Sequence, residues 1–251
     1  WYTCDELPKQ MIPELRQRRE LLNAVDPLHP VYAVCAIGYT TDALRPFGST
    51  ADVIGPDSYP IHADFNIHKL EKVLASSAET GRPFWPVLQS MNWHRYRPDL
   101  KNADSFRFPT ASEFRTMILL AAAHNAKGFL FFAAAPLVQP DPKLDGDTKE
   151  NLETVRSGLA MIKSLEPFVL SDMPPAELKV KNLEGRTRAW HFQDGKGNSR
   201  LVFVSFDKGS NQAEFSLDGK WKSLYGKTRG EAGKLIFQAA GPDSDLLENM
   251  E

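Results

Sequence analysis

The chain has 251 residues, a formal net charge of −2 and 42% hydrophobic residues. That suits one large or two modest globular domains, and the near-neutral charge gives no electrostatic ground for a nucleic-acid or anionic-membrane partner. No apolar run reaches the roughly 18 residues of a membrane span. The sequence carries no initiator Met and no signal-peptide pattern. It opens inside an apparent strand, so it is expected to be part of something longer. Cys4 and Cys35 do not make a disulfide framework and read as buried free thiols.

Trp1 to Glu6 is a short apolar and β-branched run that ends in two adjacent carboxylates, Asp5 and Glu6. Lys9 to Ala24 follows with an apolar stripe of Met11, Ile12, Leu15, Leu21 and Leu22, a helical pattern. Val31 to Ile37 is a continuous apolar run, as in a strand buried on both faces. Ala51 to Pro60 reads as a third strand ending in Asp57 and Tyr59. Asp64 is a candidate cap for a helix running to about Glu79. Phe84 to Leu88 is a fourth strand, with Gln89, Asn92, Trp93 and His94 at its end. Thr110-Ala111-Ser112-Glu113 is a capping box that opens another helix. Phe129 to Ala135 is a fifth strand, and Thr148 to about Leu165 a long helix. Strand–helix alternation of this kind predicts a parallel sheet in an α/β fold. No Gly-rich phosphate loop follows any strand, which weighs against a nucleotide-binding version.

From about Ser171 the helical periodicity stops. Leu178–Val180, Thr187–Phe192, Arg200–Phe206, Gln212–Leu217, Lys220–Tyr225 and Lys234–Gln238 read as short strands separated by Gly-containing turns. That pattern predicts a small antiparallel β-sandwich over residues 171–251, after an α/β part over residues 1–170.

An acidic pair after one strand, Asp57-Ser58-Tyr59-Pro60 after another, then Gln89 with Trp93, resembles the C-terminal portion of a glycoside hydrolase (β/α)8 barrel. The segment from Pro109 through Glu113 and Met117 to Ala126-Lys127-Gly128-Phe129 is similar to the last helix and strand of such barrels. On this resemblance Trp1 to Glu6 is strand four, Phe129 to Ala135 is strand eight, and strands one to three are missing. The resemblance implies an enzyme that cleaves O-glycosidic bonds and acts on a carbohydrate, without a metal or organic cofactor. It also implies that an upstream segment or second chain completes the barrel, and an extracellular or periplasmic location. Glu6 would be the general acid/base, with Asp5 or Asp57 stabilising charge at the anomeric centre. Gln89 stands where many of these enzymes carry a nucleophile, and an amide cannot form a covalent glycosyl intermediate. The Asp-Glu pair resembles instead the substrate-assisted hexosaminidases, in which the sugar's own 2-acetamido group attacks. Two further readings stay open: inversion with Asp57 activating water, and a non-catalytic carbohydrate-binding barrel marked by Gln89.

Each candidate also has a plainer role. Asp5 and Glu6 suit the start of a helix. They serve together only if the strand is already turning, because neighbours on a regular strand point to opposite faces. Tyr59, Gln89, Asn92, Trp93 and His94 are expected to hold the sugar, against turn chemistry, a satisfied buried amide and ordinary packing. His62, His68 and His124 lack metal-ligand spacing, so no metal site is expected. Arg95, Arg97 and Arg107 read as a solvated rim. Trp190 and Trp221 read as sandwich core.

Overall fold

A computed structural model describes residues 1–35, 40–217, 219–231 and 233–250. The expected continuation of the second strand through Ala36 and Ile37 lies outside the described residues, as do Tyr39 of the following loop and Asp218 of one predicted turn. The first half contains a parallel sheet of β1 (Tyr2–Asp5), β2 (Tyr32–Cys35), β3 (Val53–Ser58), β4 (Val87–Gln89) and β5 (Leu130–Phe132), in the order β1-β2-β3-β4-β5. Neighbours in sequence are neighbours in space and all pairs run parallel, the geometry of an unclosed (β/α) barrel. Among the described residues β1 pairs only with β2, and β5 only with β4.

The helices are α1 (Ile12–Val25), α2 (Thr41–Leu44), α3 (Ile67–Ala78), α4 (Trp93–Tyr96), α5 (Ala111–Ala123), α6 (Ala135–Val138), α7 (Pro142–Asp145) and α8 (Thr148–Val169). Among the described residues none is long and apolar enough to cross a membrane. The helix over 67–78 is capped by Asn66, whose side chain accepts from the Lys69 amide, and not by Asp64. Asp64 instead forms an ion pair with Lys208 at 2.8 Å. The capping box is present: Thr110 Oγ1 accepts from the Glu113 amide, and the Glu113 carboxylate accepts from the Thr110 amide.

One face of the parallel sheet packs on helices. Cys4, Ala33 and Cys35 meet Ile12 and Leu15 of α1 in one apolar cluster. Ile54 and Leu88 meet Leu70, Leu74, Met117 and Ile118 of α3 and α5 in another. The opposite face carries Tyr32, Val34, Val53 and Val87, with Tyr59, Trp85 and Leu130 beside them. This is the lumen side. Gly55 is required there, because a Cβ at that position would lie 2.1 Å from the Tyr32 hydroxyl oxygen. The bare backbone lets the Tyr32 ring cross β3 and donate to the Trp85 carbonyl at 3.0 Å.

Among the described residues nine further strands follow: β6 (Ala176–Leu178), β7 (Lys181–Glu184), β8 (Thr187–Gln193), β9 (Ser199–Ser205), β10 (Asn211–Ser216), β11 (Trp221–Ser223), β12 (Thr228–Glu231), β13 (Lys234–Ala239) and β14 (Ser244–Asn249). They form two antiparallel sheets, β12-β13-β10-β7 and β11-β14-β9-β8-β6. Ala189, Leu201, Phe203 and Leu247 of one sheet meet Leu235, Phe237 and Ala239 of the other. The alternate residues Trp190, Phe192, Val202, Val204 and Leu246 join the cluster around α5 and α8. The five-stranded sheet is therefore buried on both faces, and one apolar core runs unbroken from the barrel helices into it. Gly158 lets α8 approach α5, since a Cβ there would meet the Phe114 ring at 2.4 Å. Arg115 of α5 bonds Asp243 at 2.5 Å and Ser244 at 3.3 Å across the same seam.

Candidate functional site

The C-terminal ends of the parallel strands surround a cleft of about 690 Å³. Asp5 and Glu6 come from the end of β1, Tyr59 from just beyond β3, Trp93, Tyr96 and Arg97 from α4 and its end, and Phe132 from the end of β5. All approach from one side of the sheet, which is where barrel folds place their chemistry.

Two local departures from regular structure bring the acidic pair to this cleft. The pairing of β1 with β2 slips between Tyr2 and Cys4, so that Tyr2 stands opposite Tyr32 and Asp5 opposite Val34. Tyr32 and Val34 both face the lumen. The extra residue, Thr3, is thus a bulge that puts Tyr2 and Asp5 on the same face, although their spacing would separate them on a regular strand. Glu6 then adopts a left-handed backbone with φ 52°, which ends the strand and turns the next side chain to the same cleft. Asp5 and Glu6 line it together for this reason.

Tyrosine electrostatics tie the carboxylates to one place. Burial raises the pKa of the Tyr59 phenol, and Asp57, Glu6 and Asp5 each add to the rise. Tyr2 is raised by burial, by the charge of Asp5 and by a hydrogen bond from its hydroxyl to Asp5. Tyr32 is raised by burial first, with Tyr2, Cys35, Asp57 and Asp5 contributing. A neutral phenol is a donor over the whole neutral range, and Tyr2 uses its hydroxyl on Asp5 while Tyr32 uses its own on the Trp85 carbonyl. Asp57 itself is 1% exposed and sits among these rings, not on the cleft surface.

Tyr59 packs edge-on to Trp93 at 5.8 Å and tilted against Phe132 at 5.5 Å. Trp93 lines the cleft, but its ring also stacks on His62 at 5.4 Å, and its indole N–H donates to the Tyr59 carbonyl at 3.3 Å.

The structure takes three expected sugar-binding residues elsewhere. Gln89 is fully buried; its oxygen accepts from the Ile61 amide at 2.8 Å, and its nitrogen donates to the carbonyls of Ile61 at 2.8 Å and Met91 at 3.0 Å. The amide is committed to holding the loop after β3 onto β4. Asn92 caps α4 through the His94 amide and donates to the carbonyls of Phe106 and Leu144. His94 lies 3.7 Å from Asp104, away from the cleft. Of the three arginines, only Arg97 reaches the cleft, paired with Asp99. Arg95 pairs with buried Asp145 at 2.5 Å, and Arg107 makes a two-pronged pair with Glu113 at 2.6 Å. Tyr2, Tyr32, Tyr96 and Phe132 are cleft residues that the sequence reading did not single out. The only sequence signal for Tyr2 and Tyr32 is aromatic character within strands, which core packing also explains. Among the described residues no group of three or more His, Cys, Asp or Glu is placed to hold a metal ion.

No family model and no curated protein matches the sequence. Solved structures do match in three dimensions. A GH27 β-L-arabinopyranosidase from Geobacillus stearothermophilus superposes with a TM-score of 0.58 at 16% identity, over 100% of this chain and 57% of its own. An α-amylase from Geobacillus thermoleovorans gives 0.57 at 11% identity, over 96% and 57%. An α-amylase from Anoxybacillus gives 0.52 at 10% identity, over the same shares. The fold is therefore that of part of a glycoside hydrolase-like barrel with its following β-domain. The chain spans little more than half the length of these structures.

Proposed function

We propose that this chain forms the C-terminal part of a glycoside hydrolase and that the lumen cleft is where a glycosidic bond is cleaved. The observation that carries the reading is that Asp5, Glu6 and Tyr59 line one cleft at the C-terminal ends of the strands. Hydrolysis of an acetal needs a proton donor to the leaving oxygen and a negative group against the developing oxocarbenium charge. Glu6, at the rim and turned inward, is assigned as general acid/base. Asp5, held by the Tyr2 hydroxyl, is assigned as the anion that stabilises the anomeric centre or orients a 2-acetamido group. Trp93, Tyr96 and Phe132 offer apolar faces to the sugar ring.

A second assignment has its own support. Strand spacing of about 4.8 Å puts the backbones of β1 and β3 about 10 Å apart. Inward side chains on such strands approach the carboxyl separations of about 5–9.5 Å that two-carboxylate glycosidases use. On this assignment Asp57 partners Asp5. The binding-only alternative keeps its motive, because Gln89 is a structural brace and supplies no nucleophile at the end of β4.

The edges of the sheet support a further part of the reading. Tyr2 on β1 is 60% exposed and Phe132 on β5 is 38% exposed. A second groove of about 460 Å³ lies on the helix side of β5, between Phe129 and Phe131 and the α8 residues Leu159 and Ile162. Apolar groups beside unpaired strand edges call for cover. Additional strands, from further polypeptide, are assigned to the gap between β5 and β1. An extracellular or periplasmic setting goes with the polysaccharide substrates this reading implies.

The test is turnover of chromogenic glycosides, with and without a 2-acetamido group, by the unaltered chain and by Glu6→Gln, Asp5→Asn and Asp57→Asn. Loss with Glu6→Gln and Asp5→Asn supports the first assignment, and loss with Asp57→Asn but not Glu6→Gln supports the second. Unchanged turnover in all three contradicts both.

A further inference from the structure

A second cleft, of about 660 Å³, lies outside the lumen where the barrel loops meet the sandwich. Three segments distant in sequence form its walls: residues 62–68, residues 101–106 and the turn 206–208. The walls are fastened independently of any ligand. Lys208 of the sandwich pairs with Asp64 of the barrel loop. Phe206 is buried under the Arg186 guanidinium at 4.6 Å, and Arg186 pairs with Glu71 of α3 at 2.9 Å. These two ion pairs across the seam hold its walls together, which lowers the ordering cost of binding.

The chemistry of the walls is amphipathic. The His62 ring lies between Trp93, stacked at 5.4 Å, and Phe106, tilted at 5.1 Å. His68 tilts over Phe206 at 5.8 Å. Around these planar groups stand Asn66, Asn102 and Ser105, with short polar side chains. Lys101 and Lys208 are balanced by Asp64 and Asp207, so no net charge selects an ionic ligand. Burial, with Lys69 nearby, lowers the pKa of His62, which keeps its imidazole neutral. The ring surface left open on His68 and Phe106, edged by uncharged hydrogen-bonding groups, matches a sugar ring, with its C–H faces and hydroxyl rim. A cavity of this size lies within the usual range for small-molecule sites of about 300–1,000 Å³.

We propose that this junction cleft is a second carbohydrate site, taking an uncharged glycan on the Phe106 and His62 side of a wall whose other side, Trp93, faces the lumen cleft. It is a binding site and does not depend on the hydrolytic reading; loss of catalysis leaves it intact.

The experiment is amide chemical-shift mapping of the full chain titrated with maltotriose and, separately, xylotriose at millimolar concentration. The proposal expects at least one of them to shift amides of residues 62–66, 101–106 and 206–208. Phe106→Ala should weaken that binding by about tenfold, the loss of about one aromatic contact. Ala63→Trp, at an exposed position on the cleft wall, should block it even if Phe106→Ala folds poorly. Asp5→Asn should leave it unchanged. The proposal is overturned if neither sugar shifts the cleft amides, if Ala63→Trp binds as well as the unaltered chain, or if the shifts are confined to the lumen cleft and vanish with Asp5→Asn. Hydrolysis assays on the Asp5 and Glu6 variants report on the hydrolytic reading alone, so the two failures are distinguishable.

Discussion

The middle of the parallel sheet and its two edges are built from the same kinds of residue and end in different states. Val34 on β2 and Phe132 on β5 are both lumen-side groups, yet Val34 is 5% exposed and Phe132 is 38%. β3 is buried along its whole length, while β1 and β5 are partly open. Intrinsic preference does not separate them; the presence of a neighbour on each side does. The comparison teaches that burial in such a sheet is cooperative, and that the cleft sits where the finished and unfinished parts meet. Asp57 and Tyr59 stand on the finished side, Asp5 and Glu6 on an open edge.

The finished region should be the stiffer one, and its joints should cost most when cut. Arg115→Ala removes the α5 contact to Asp243 and Ser244 and the guanidinium 4.2 Å over Tyr225. Breaking a buried pair costs about 3–5 kcal/mol. Lys227 still neutralises Asp243 at 2.7 Å, so a loss near about 3 kcal/mol is expected in urea unfolding. A loss under about 1 kcal/mol would show that the barrel helices and the sandwich are held together only loosely.

Acid should find the same region. His124 follows α5 beside Trp190, and burial, then Arg188, lowers its pKa to about 4. The folded state disfavours protonation that the unfolded chain accepts near pH 6.5. Its contribution is therefore fully present above about pH 6.5 and is lost as pH falls toward about 4, by roughly 2–3 kcal/mol. His124→Phe should flatten melting temperature against pH across that window. An unchanged acid slope would place the sensitivity in other groups.

Gln89 lies at the border of the two regions. Gln89→Leu leaves the Ile61 amide and two carbonyls without partners, at about 1–3 kcal/mol. Sugar binding should follow stability only. A selective loss of binding at full stability would return Gln89 to the cleft.

The edges should respond least. Phe132→Ser in this chain should cost only about 1 kcal/mol, from the lost contacts with Tyr59 and Tyr96, and should reduce binding of a hydrophobic dye. A cost of about 2 kcal/mol or more would mean that β5 is already covered in solution.

The strand–helix alternation was legible because each barrel strand is apolar and each helix carries a stripe. The last strand, Ser244–Asn249, was not, because Asp245 interrupts its pattern while fully buried. The carboxylate is satisfied by the Ser223 hydroxyl at 2.6 Å and by the amides of Tyr225 and Lys227. Thr228–Glu231 pairs with β13 where its Arg-Gly step suggested a turn. In the site, polar residues at strand ends were visible but their targets were not. Gln89 and Asn92 turn to nearby backbone, and only coordinates distinguish a brace from a ligand. The bulge at Thr3, which sets the faces of Tyr2 and Asp5, leaves no pattern in composition.

The central claim is that carboxylates at the open end of β1 carry out glycoside hydrolysis in the lumen cleft. Its most direct test is the turnover rate of the best chromogenic glycoside by the unaltered chain, by Glu6→Gln and by Asp5→Asn. Glu6→Gln keeps shape and removes the transferable proton, so a drop of about 10²–10⁴-fold is expected, smaller for substrates with very good leaving groups. Asp5→Asn should show a comparable drop. Near-normal turnover in both variants, or no turnover of any glycoside once the strands that complete the barrel are supplied, would contradict the claim.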